Sequence, residues 1–424
     1  MTWLLSWVRI AARSANEHDF SFSPTTEHLS GCVPAKFFGS GDTVFNRMLL
    51  AVVALALASF AQAQSFTFST VATLTSNEAF PNSPLILDSS GNFWDSTFGG
   101  TVTLGVIYEV TKAGVVSDIY FFGDSTIDGD FPSSLARDSA GNLYGTSNGG
   151  DFSDGLIFKV SPSGEFTQLH SFTNSEASDS GSEPVILDAA GNVYGAGNGG
   201  KLSGGAVFKV EPGGAYSTLY NFCSLKNCAD GDTPNAPIRD KAGNIYGSTY
   251  FGGNAGCGGC QTGDGVVYKV EASGVQSVLH TFKGGSSDGA NPNNKLKQDT
   301  KGNLYGTTAT GGTHGAGIVF KVSSTTGEET VLHNFCSSSK CADGQFPFGP
   351  VVLDALGNVY GTALGSNHNS VVWEVTAAGK GLVAYTFPGA TTAGALTIDS
   401  AGNLYSTYGN QSSFPAIFKL TLVK

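Results

Sequence analysis

Two histidines occupy loop positions that do not recur along the chain, and imidazole is well suited to acid–base or metal chemistry near neutral pH. They are His314, in Thr-His-Gly, and His368, in Asn-His-Asn. Carboxylates occur in connections of the same kind: Asp124, Asp128, Asp130, Asp230 and Asp232. Because a histidine beside a carboxylate can transfer a proton or bind an ion, His314 and His368 are the candidate catalytic residues.

No spacing of acidic residues, histidines or cysteines matches an EF-hand loop or a zinc motif. We therefore predict no metal site and no cofactor. The one alternative is a calcium ion bound by the acidic loops, because calcium prefers carboxylate oxygens.

Six of the seven cysteines form three close pairs along the chain. The pairs are Cys223/Cys228, Cys257/Cys260 and Cys336/Cys341. An even number of cysteines behind an export signal predicts disulfides in an oxidising compartment. Cys-Gly-Gly-Cys has the spacing of a redox motif or half a zinc site, but no helix-forming sequence follows it and no second pair lies nearby. We interpret all three pairs as disulfides.

Three further histidines share one position in a repeated segment, Leu-His-x-Phe. They are His170, His280 and His333. The equivalent position holds tyrosine in other copies of the segment: Tyr120, Tyr220 and Tyr385. A position that exchanges histidine for tyrosine within one chain indicates packing, so we do not expect these histidines to be catalytic.

The pattern Asp-x-x-Gly-Asn occurs seven times, at intervals of 45 to 59 residues. The copies begin at Asp88, Asp138, Asp188, Asp240, Asp299, Asp354 and Asp399. A repeat of about fifty residues is typical of arrays and propellers. Asp can accept a hydrogen bond from the backbone two residues on, and Gly can supply the positive φ that closes a turn. We therefore predict tight turns rather than seven binding sites.

Each repeat contains four short apolar runs of the length and composition of β-strands, and residues 64–424 show no helical periodicity. An aromatic residue follows each turn and is predicted to pack between neighbouring sheets. The third strand carries one charge at a fixed position, which we expect to be solvated. The pattern predicts an all-β protein, a β-propeller of seven blades with four antiparallel strands each.

The chain ends predict a closed ring. The last repeat stops after its third strand, at Lys424, whereas residues 68–75 align with the fourth-strand segment 166–173. The N-terminal strand would therefore complete the last blade and protect the sheet edges. The strand 2–3 and 4–1 connections then share one face, the loop rim, and the Asp-x-x-Gly-Asn turns share the other, the turn rim. Variable loops on a rigid scaffold are where binding is usually placed.

A leader precedes the repeats. Arg47, the apolar run Met48–Phe60 and Ala61-Gln62-Ala63 have the form of a secretory signal peptide, too short for a stable membrane span. We predict a signal peptide at 44–63, cleavage after Ala63 to leave Gln64 first, and a propeller at 64–424. Residues 1–43 are interpreted as a leader extension from a misassigned start site. The prediction is a protein that is secreted, periplasmic or on the cell surface.

The formal net charge is −12. An acidic protein lacks the basic surface that nucleic acid or an anionic membrane requires, so neither is an expected partner. We expect a monomer whose partner is an unknown extracellular protein or glycan.

Four motifs follow one another in the repeats: Gly-Asn-x-Tyr-Gly-Thr, Gly-Gly, Gly-x-Val-Phe-Lys-Val and Leu-His-x-Phe. This order resembles the GloVer tandem repeat, which occurs in exported bacterial proteins described as having a choice of anchor. The resemblance covers roughly residues 66–424, and the copies at 191–222 and 302–335 fit well. It implies a secreted or surface-displayed propeller with no assigned biochemical activity. The chain ends without the expected anchor segment, which is a departure from that family.

We predict a binding or scaffold module that is not an enzyme. The alternative is an extracellular propeller enzyme, a metal-assisted lyase or lactonase, with its site on the loop rim. A lectin-like ring would require exposed aromatic residues on that rim, and we expect few there.

Overall fold

The computed structural model describes residues 64–423 except for 79–80, 82, 99–103, 124–126, 134, 153, 174–175, 179–183, 254–261, 367–368, 390–391 and 411–412. Several predictions fall outside the described residues: the leader extension 1–43, the signal peptide 44–63, Asp124, Cys257, Cys260 and His368. No helix in the described part is long and apolar enough to cross a membrane.

The described chain is all-β, a seven-bladed propeller of antiparallel blades that we number in chain order. Blade 1 contains Ile86–Leu87, Phe93–Ser96, Val106–Val110 and Val116–Phe121. Blade 2 contains Ala136–Arg137, Leu143–Ser147, Leu156–Val160 and Phe166–Ser171. Blade 3 contains Ala177–Ser178, Ile186–Leu187, Val193–Gly199, Ala206–Val210 and Tyr216–Asn221. Blade 4 contains Asp232–Pro234, Ile238–Arg239, Ile245–Phe251, Val266–Val270 and Gln276–Thr281.

The remaining blades follow the same order, with the innermost strand of blades 3, 4, 5 and 7 split into two pieces. Blade 5 contains Gly289–Pro292, Lys297–Gln298, Asn303–Gly311, Ile318–Ser323 and Glu329–Asn334. Blade 6 contains Gln345–Leu353, Val359–Leu364, Ser370–Val375 and Gly381–Thr386. Blade 7 contains Thr392–Ala393, Thr397–Ile398, Leu404–Asn410, Ser413–Leu422 and Phe66–Thr73. The chain forms 3-10 turns at Lys226–Cys228 and Ser339–Cys341.

The predicted ring closure is confirmed. The N-terminal strand Phe66–Thr73 pairs antiparallel with Ser413–Leu422 and forms the outer strand of blade 7. The Phe68 ring stacks on Tyr385 of blade 6, with centroids 5.2 Å apart. This strand therefore ties the first residues of the propeller to the last and covers an edge that would otherwise be free.

The Asp-x-x-Gly-Asn blocks form the predicted turns. In blade 3, Asp188 Oδ1 accepts hydrogen bonds from the backbone of Ala190 (2.9 Å) and Asn192 (3.0 Å). Oδ2 accepts from the Asn192 amide (2.8 Å) and the Tyr194 hydroxyl (2.9 Å). The seven turn glycines have φ between 81° and 90°. The sequence did not predict this bond to the turn aspartate, which comes from a tyrosine in six blades and from Trp94 Nε1 in blade 1 and joins each turn to the core.

The core consists of apolar layers between neighbouring blades. Trp94 of blade 1 packs with Leu135 and Phe158 of blade 2, and the aromatic residues after the other turns lie in or against equivalent layers. A Cβ at Gly145 would lie 2.7 Å from the Phe158 ring, which explains why glycine follows the aromatic residue there. Burying one such side chain contributes roughly 1.5–3 kcal/mol, so these layers supply much of the stability.

The third-strand charge is solvated in the lysine blades, as predicted, but not in blade 6: the ammonium groups of Lys209 and Lys269 make their hydrogen bonds at the exposed surface. Lys159 is half-buried, and its ammonium lies 5.9 Å from the centroid of the Tyr144 ring on the neighbouring strand. A long lysine side chain can bury its aliphatic stem while the ammonium stays in water, which agrees with this partial burial. In blade 6 the equivalent residue, Glu374, is completely buried.

Candidate functional site

The structure describes one of the two candidate catalytic histidines. His314 is exposed on the loop rim, and its Nδ1 lies 2.9 Å from the Thr313 hydroxyl. His368 falls outside the described residues, so the structure does not show whether the two histidines approach each other.

Two of the three predicted disulfides lie within the described chain and are formed. Cys223–Cys228 and Cys336–Cys341 each close a six-residue loop around a 3-10 turn on the loop rim. Each bridge holds a strand 4–1 connection in shape. One bridge precedes blade 4 and the other follows blade 5, so the two cysteine pairs occupy equivalent connections of the repeat.

The fourth-strand position that holds histidine or tyrosine also makes polar contacts, which the sequence did not predict. The hydroxyl of Tyr220 donates to Asp230 Oδ2 over 2.8 Å, and His333 Nε2 lies 3.3 Å from Asp343 Oδ2. Each acid belongs to the connection that leaves the strand. The pair therefore fixes the start of the loop, and the interpretation of these histidines as structural agrees with this geometry.

One inter-blade contact gathers an imidazole and two carboxylates. His280 Nε2, on the outer strand of blade 4, lies 3.4 Å from Asp288 Oδ2 and 3.8 Å from Glu329 Oε2. Ligand atoms of all three lie within 4.8 Å of one another, which is close enough to share an ion. An imidazole in the set suits zinc better than calcium. The sequence missed this set because Glu329 comes from the next blade.

Blade 1 holds a buried acid where five other blades have glycine. Asp95 is fully buried and accepts hydrogen bonds from the hydroxyls of Ser83 and Tyr108 and the backbone of Ser96. Burial raises the pKa of Asp95 to about 7, although these hydrogen bonds act in the opposite direction. The sequence signal was the change from Tyr-Gly to Trp-Asp in the first repeat.

A central channel of about 1310 Å³ runs along the innermost strands of all seven blades. One wall, formed by blades 4 and 5, is polar and carries five cationic residues and two acidic ones: Arg239, Lys241, Lys295, Lys297, Lys301, Asp240 and Asp299. In blade 1 the positions equivalent to Lys295 and Lys297 are Pro84 and Ile86. This wall is therefore locally positive, in a protein whose net charge is −12.

The loop rim exposes more aromatic residues than the sequence led us to expect. Phe98, Phe152, Phe346 and Phe414 have about half of their surface accessible: 48%, 56%, 49% and 55%. The ring of Phe98 stacks on Phe131 with centroids 4.6 Å apart. Connections have no hydrophobic period, so the sequence could not show which of their aromatic side chains point outward.

Comparison with known families identifies the repeat. The model of the Gloeobacter/Verrucomicrobia repeat matches residues 57–261 and 257–424. The chain belongs to this family. The match confirms the resemblance to the GloVer repeat that the sequence motifs suggested.

Two solved structures of similar fold are lyases. A streptogramin B lyase aligns with a TM-score of 0.59 and 13% identity, over 86% of this chain and 100% of that one. Virginiamycin B lyase from Staphylococcus aureus aligns with a TM-score of 0.58 and 12% identity, over 85% and 100%. At such identities the likeness is one of fold alone. No curated protein matches the sequence.

Proposed function

We propose that this protein is exported and acts as a binding module, which takes up an extracellular protein or glycan through its loop rim. The leader pattern and the two disulfides support export, because disulfides persist in oxidising compartments.

The distribution of exposed phenylalanines carries the proposal. Among the described residues, four of the five exposed phenylalanines lie on the loop rim, and the fifth, Phe121, lies on the outer strand of blade 1. The exposed large apolar residues of the turn rim are aliphatic, such as Val275 and Leu356. Exposed aromatic side chains are typical anchors of binding surfaces.

The ring order places these phenylalanines on consecutive blades. Phe346 begins blade 6, Phe414 belongs to blade 7, Phe98 to blade 1 and Phe152 to blade 2. Blades 7 and 1 are neighbours because Tyr405 and Phe93 pack in one layer. The four residues, which we call the aromatic arc, therefore follow one side of the rim.

An array of glycans and extracellular proteins tests the proposal. The probes are the purified protein, an arc variant (Phe98→Ala, Phe152→Ala) and a matched turn-rim variant (Val275→Ala, Leu356→Ala). We expect at least one array member to bind the unmodified protein and the turn-rim variant, but not the arc variant. Binding that is lost only in the turn-rim variant, or no binding at all, would contradict the proposal.

The alternative is an enzyme with its site on the same rim, for which His314 and His368 remain the candidate residues. The fold likeness to two lyases transfers none of their residues to this chain, so the alternative rests on these histidines alone. A lyase or lactonase assay of His314→Ala and His368→Ala tests it. Turnover that is present in the unmodified protein and lost in either variant would favour the enzyme.

A further inference from the structure

Six of the seven blades place a cation beside the aromatic residue that follows the turn. In five of them it is the third-strand lysine in register with that residue: Lys159, Lys209, Lys269, Lys321 and Lys419. In blade 1 the third strand has Glu109 instead, and Arg137 of blade 2 lies 4.9 Å from the Trp94 ring and 3.9 Å from Asp88 Oδ2. In six blades a cation therefore lies on the strand or blade next to the aromatic residue that follows the turn.

Blade 6 has a glutamate where those five blades have the lysine. Glu374 is in register with Tyr360, and its side chain is completely buried. Burial raises the pKa of Glu374, and the nearby charge of Asp354 acts in the same direction. Among the described residues, no lysine, arginine or histidine forms an ion pair with Glu374. Burying a carboxylate without a nearby cation costs folding free energy. A positive charge at this position would therefore stabilise the fold.

The backbone nitrogen of Gln64 lies at this position, 3.3 Å from Glu374 Oε2. The Gln64 side chain is also held: its Oε1 accepts a hydrogen bond from the Tyr360 hydroxyl (2.9 Å), and its Nε2 donates to Asp354 Oδ2 (3.4 Å). Strand pairing from Phe66 onward and the bond from the Val423 amide to the Ser65 carbonyl (2.8 Å) fix the chain here.

The leader pattern independently names the same residue as the first of the mature chain. Hydrolysis of the Ala63–Gln64 peptide bond by a signal peptidase consumes one water, leaves a carboxylate on Ala63 and frees an amine on Gln64. That amine takes up a proton near neutral pH, because an ordinary α-amino group has a pKa of about 8. A neutral amide with one donor thereby becomes an ammonium with three.

We propose that cleavage after Ala63 completes the propeller: the α-ammonium of Gln64 pairs with Glu374 and supplies the cation that blade 6 lacks. The ring then reaches its full stability only after the leader is removed. This inference rests on the export that we propose but not on ligand binding at the loop rim, so it can fail while the binding proposal holds.

Four proteins test the inference. The propeller of residues 64–424 and its Glu374→Gln variant are each prepared with Gln64 first and with Gly-Ser before Gln64, from a fusion cleaved by a protease that leaves no residue behind. Urea unfolding at pH 7 gives the equilibrium constant. We expect the extension to reduce the folding constant about tenfold in the unmodified propeller, which corresponds to a one-unit rise in the amine pKa, and to change it little in Glu374→Gln. An equal effect in both backgrounds, or none in either, overturns the inference.

The pH dependence gives a second readout, with Gln64, Glu374, Asp354 and Tyr360 as the groups that face one another. An amine whose pKa is raised on folding stabilises the fold below its unfolded pKa, and this contribution is lost as the pH rises through its folded pKa. The difference between free and extended termini should therefore shrink above about pH 8. A difference that persists unchanged to high pH would show that no titrating amine is involved.

An N-terminal glutamine can also cyclise with loss of ammonia, which would remove the charge. We expect Gln64 to resist this in the folded propeller and to cyclise faster in Glu374→Gln, as measured by mass spectrometry over days. Gln64→Ala cannot cyclise and keeps its amine, so the same free-versus-extended comparison in that background excludes cyclisation as the cause. Complete cyclisation of the exported protein would overturn the inference.

Discussion

The hydroxyl of Tyr108 donates a hydrogen bond to Oδ2 of Asp95 over 3.0 Å, inside blade 1. The equivalent pair in blade 4 is Tyr268 and Gly247, and a Cβ at Gly247 would meet the Tyr268 ring. One repeat has therefore exchanged a glycine for an acid that is fully buried.

Asp95 makes stability depend on pH around neutrality. Its folded pKa of about 7 lies above the ordinary value of 3.8, so the folded state holds a proton that the unfolded chain releases. This contribution is complete at low pH and is lost as the pH rises through about 7. Compared with Asp95→Asn, which does not titrate, the unmodified protein should lose up to about 4 kcal/mol between pH 4 and pH 8. Urea unfolding across this range measures the difference, and a difference independent of pH would refute the assignment.

The turn carboxylates have the opposite pH dependence. Partial burial alone would raise the pKa of Asp299, but hydrogen bonds from Asn303, Lys301 and Tyr305 outweigh it and hold the pKa below its usual value. Its stabilising contribution is present at neutral pH and lost in acid. We expect Asp299→Ala to cost about 1–2 kcal/mol at pH 7 and less at pH 3. Thr300→Ala, an exposed change in the same turn, is the control and should have almost no effect.

Ring closure depends on the outer strand of blade 7. Phe68→Ala removes a ring that stacks on both Tyr385 and Phe418, and it should lower the free energy of unfolding by about 2 kcal/mol. Phe121→Ala on the outer strand of blade 1 is the matched control, since Phe121 is half exposed. Both free energies of unfolding are measured by chemical denaturation. If the two variants lose the same amount, the N-terminal strand contributes no more to stability than the outer strand of blade 1.

Each disulfide closes a short loop and should stabilise the protein modestly. The chain-entropy estimate for a six-residue loop is about 2 kcal/mol. The Cys336→Ser/Cys341→Ser variant is therefore expected to unfold at lower urea concentration and to remain folded at 25 °C. Alkylation without reductant checks the bonding in the unmodified protein. Free thiols at Cys223 and Cys228, or at Cys336 and Cys341, would contradict the structure.

The sequence predicted those features that repeat. Seven turns, the four-strand unit and closure by residues 68–75 all follow from patterns visible within one chain, and turn chemistry alone explains Asp188. It could not predict contacts between distant residues that occur once. Glu374 meets Gln64 across 310 positions, and Glu329 meets His280 only because adjacent blades align. The outward direction of Phe98 and Phe414 depends on loop conformation, which has no period.

The dissociation constant of an array ligand, measured in solution, tests most directly whether the loop rim binds through its aromatic arc. Titration calorimetry would compare the unmodified protein, Phe98→Ala/Phe152→Ala and Val275→Ala/Leu356→Ala. Because burying each phenylalanine is worth roughly 1.5–3 kcal/mol and the arc variant loses two, it should bind at least about a hundredfold more weakly, whereas the turn-rim variant should bind as before. Unchanged affinity in the arc variant would show that the loop rim does not bind through these phenylalanines.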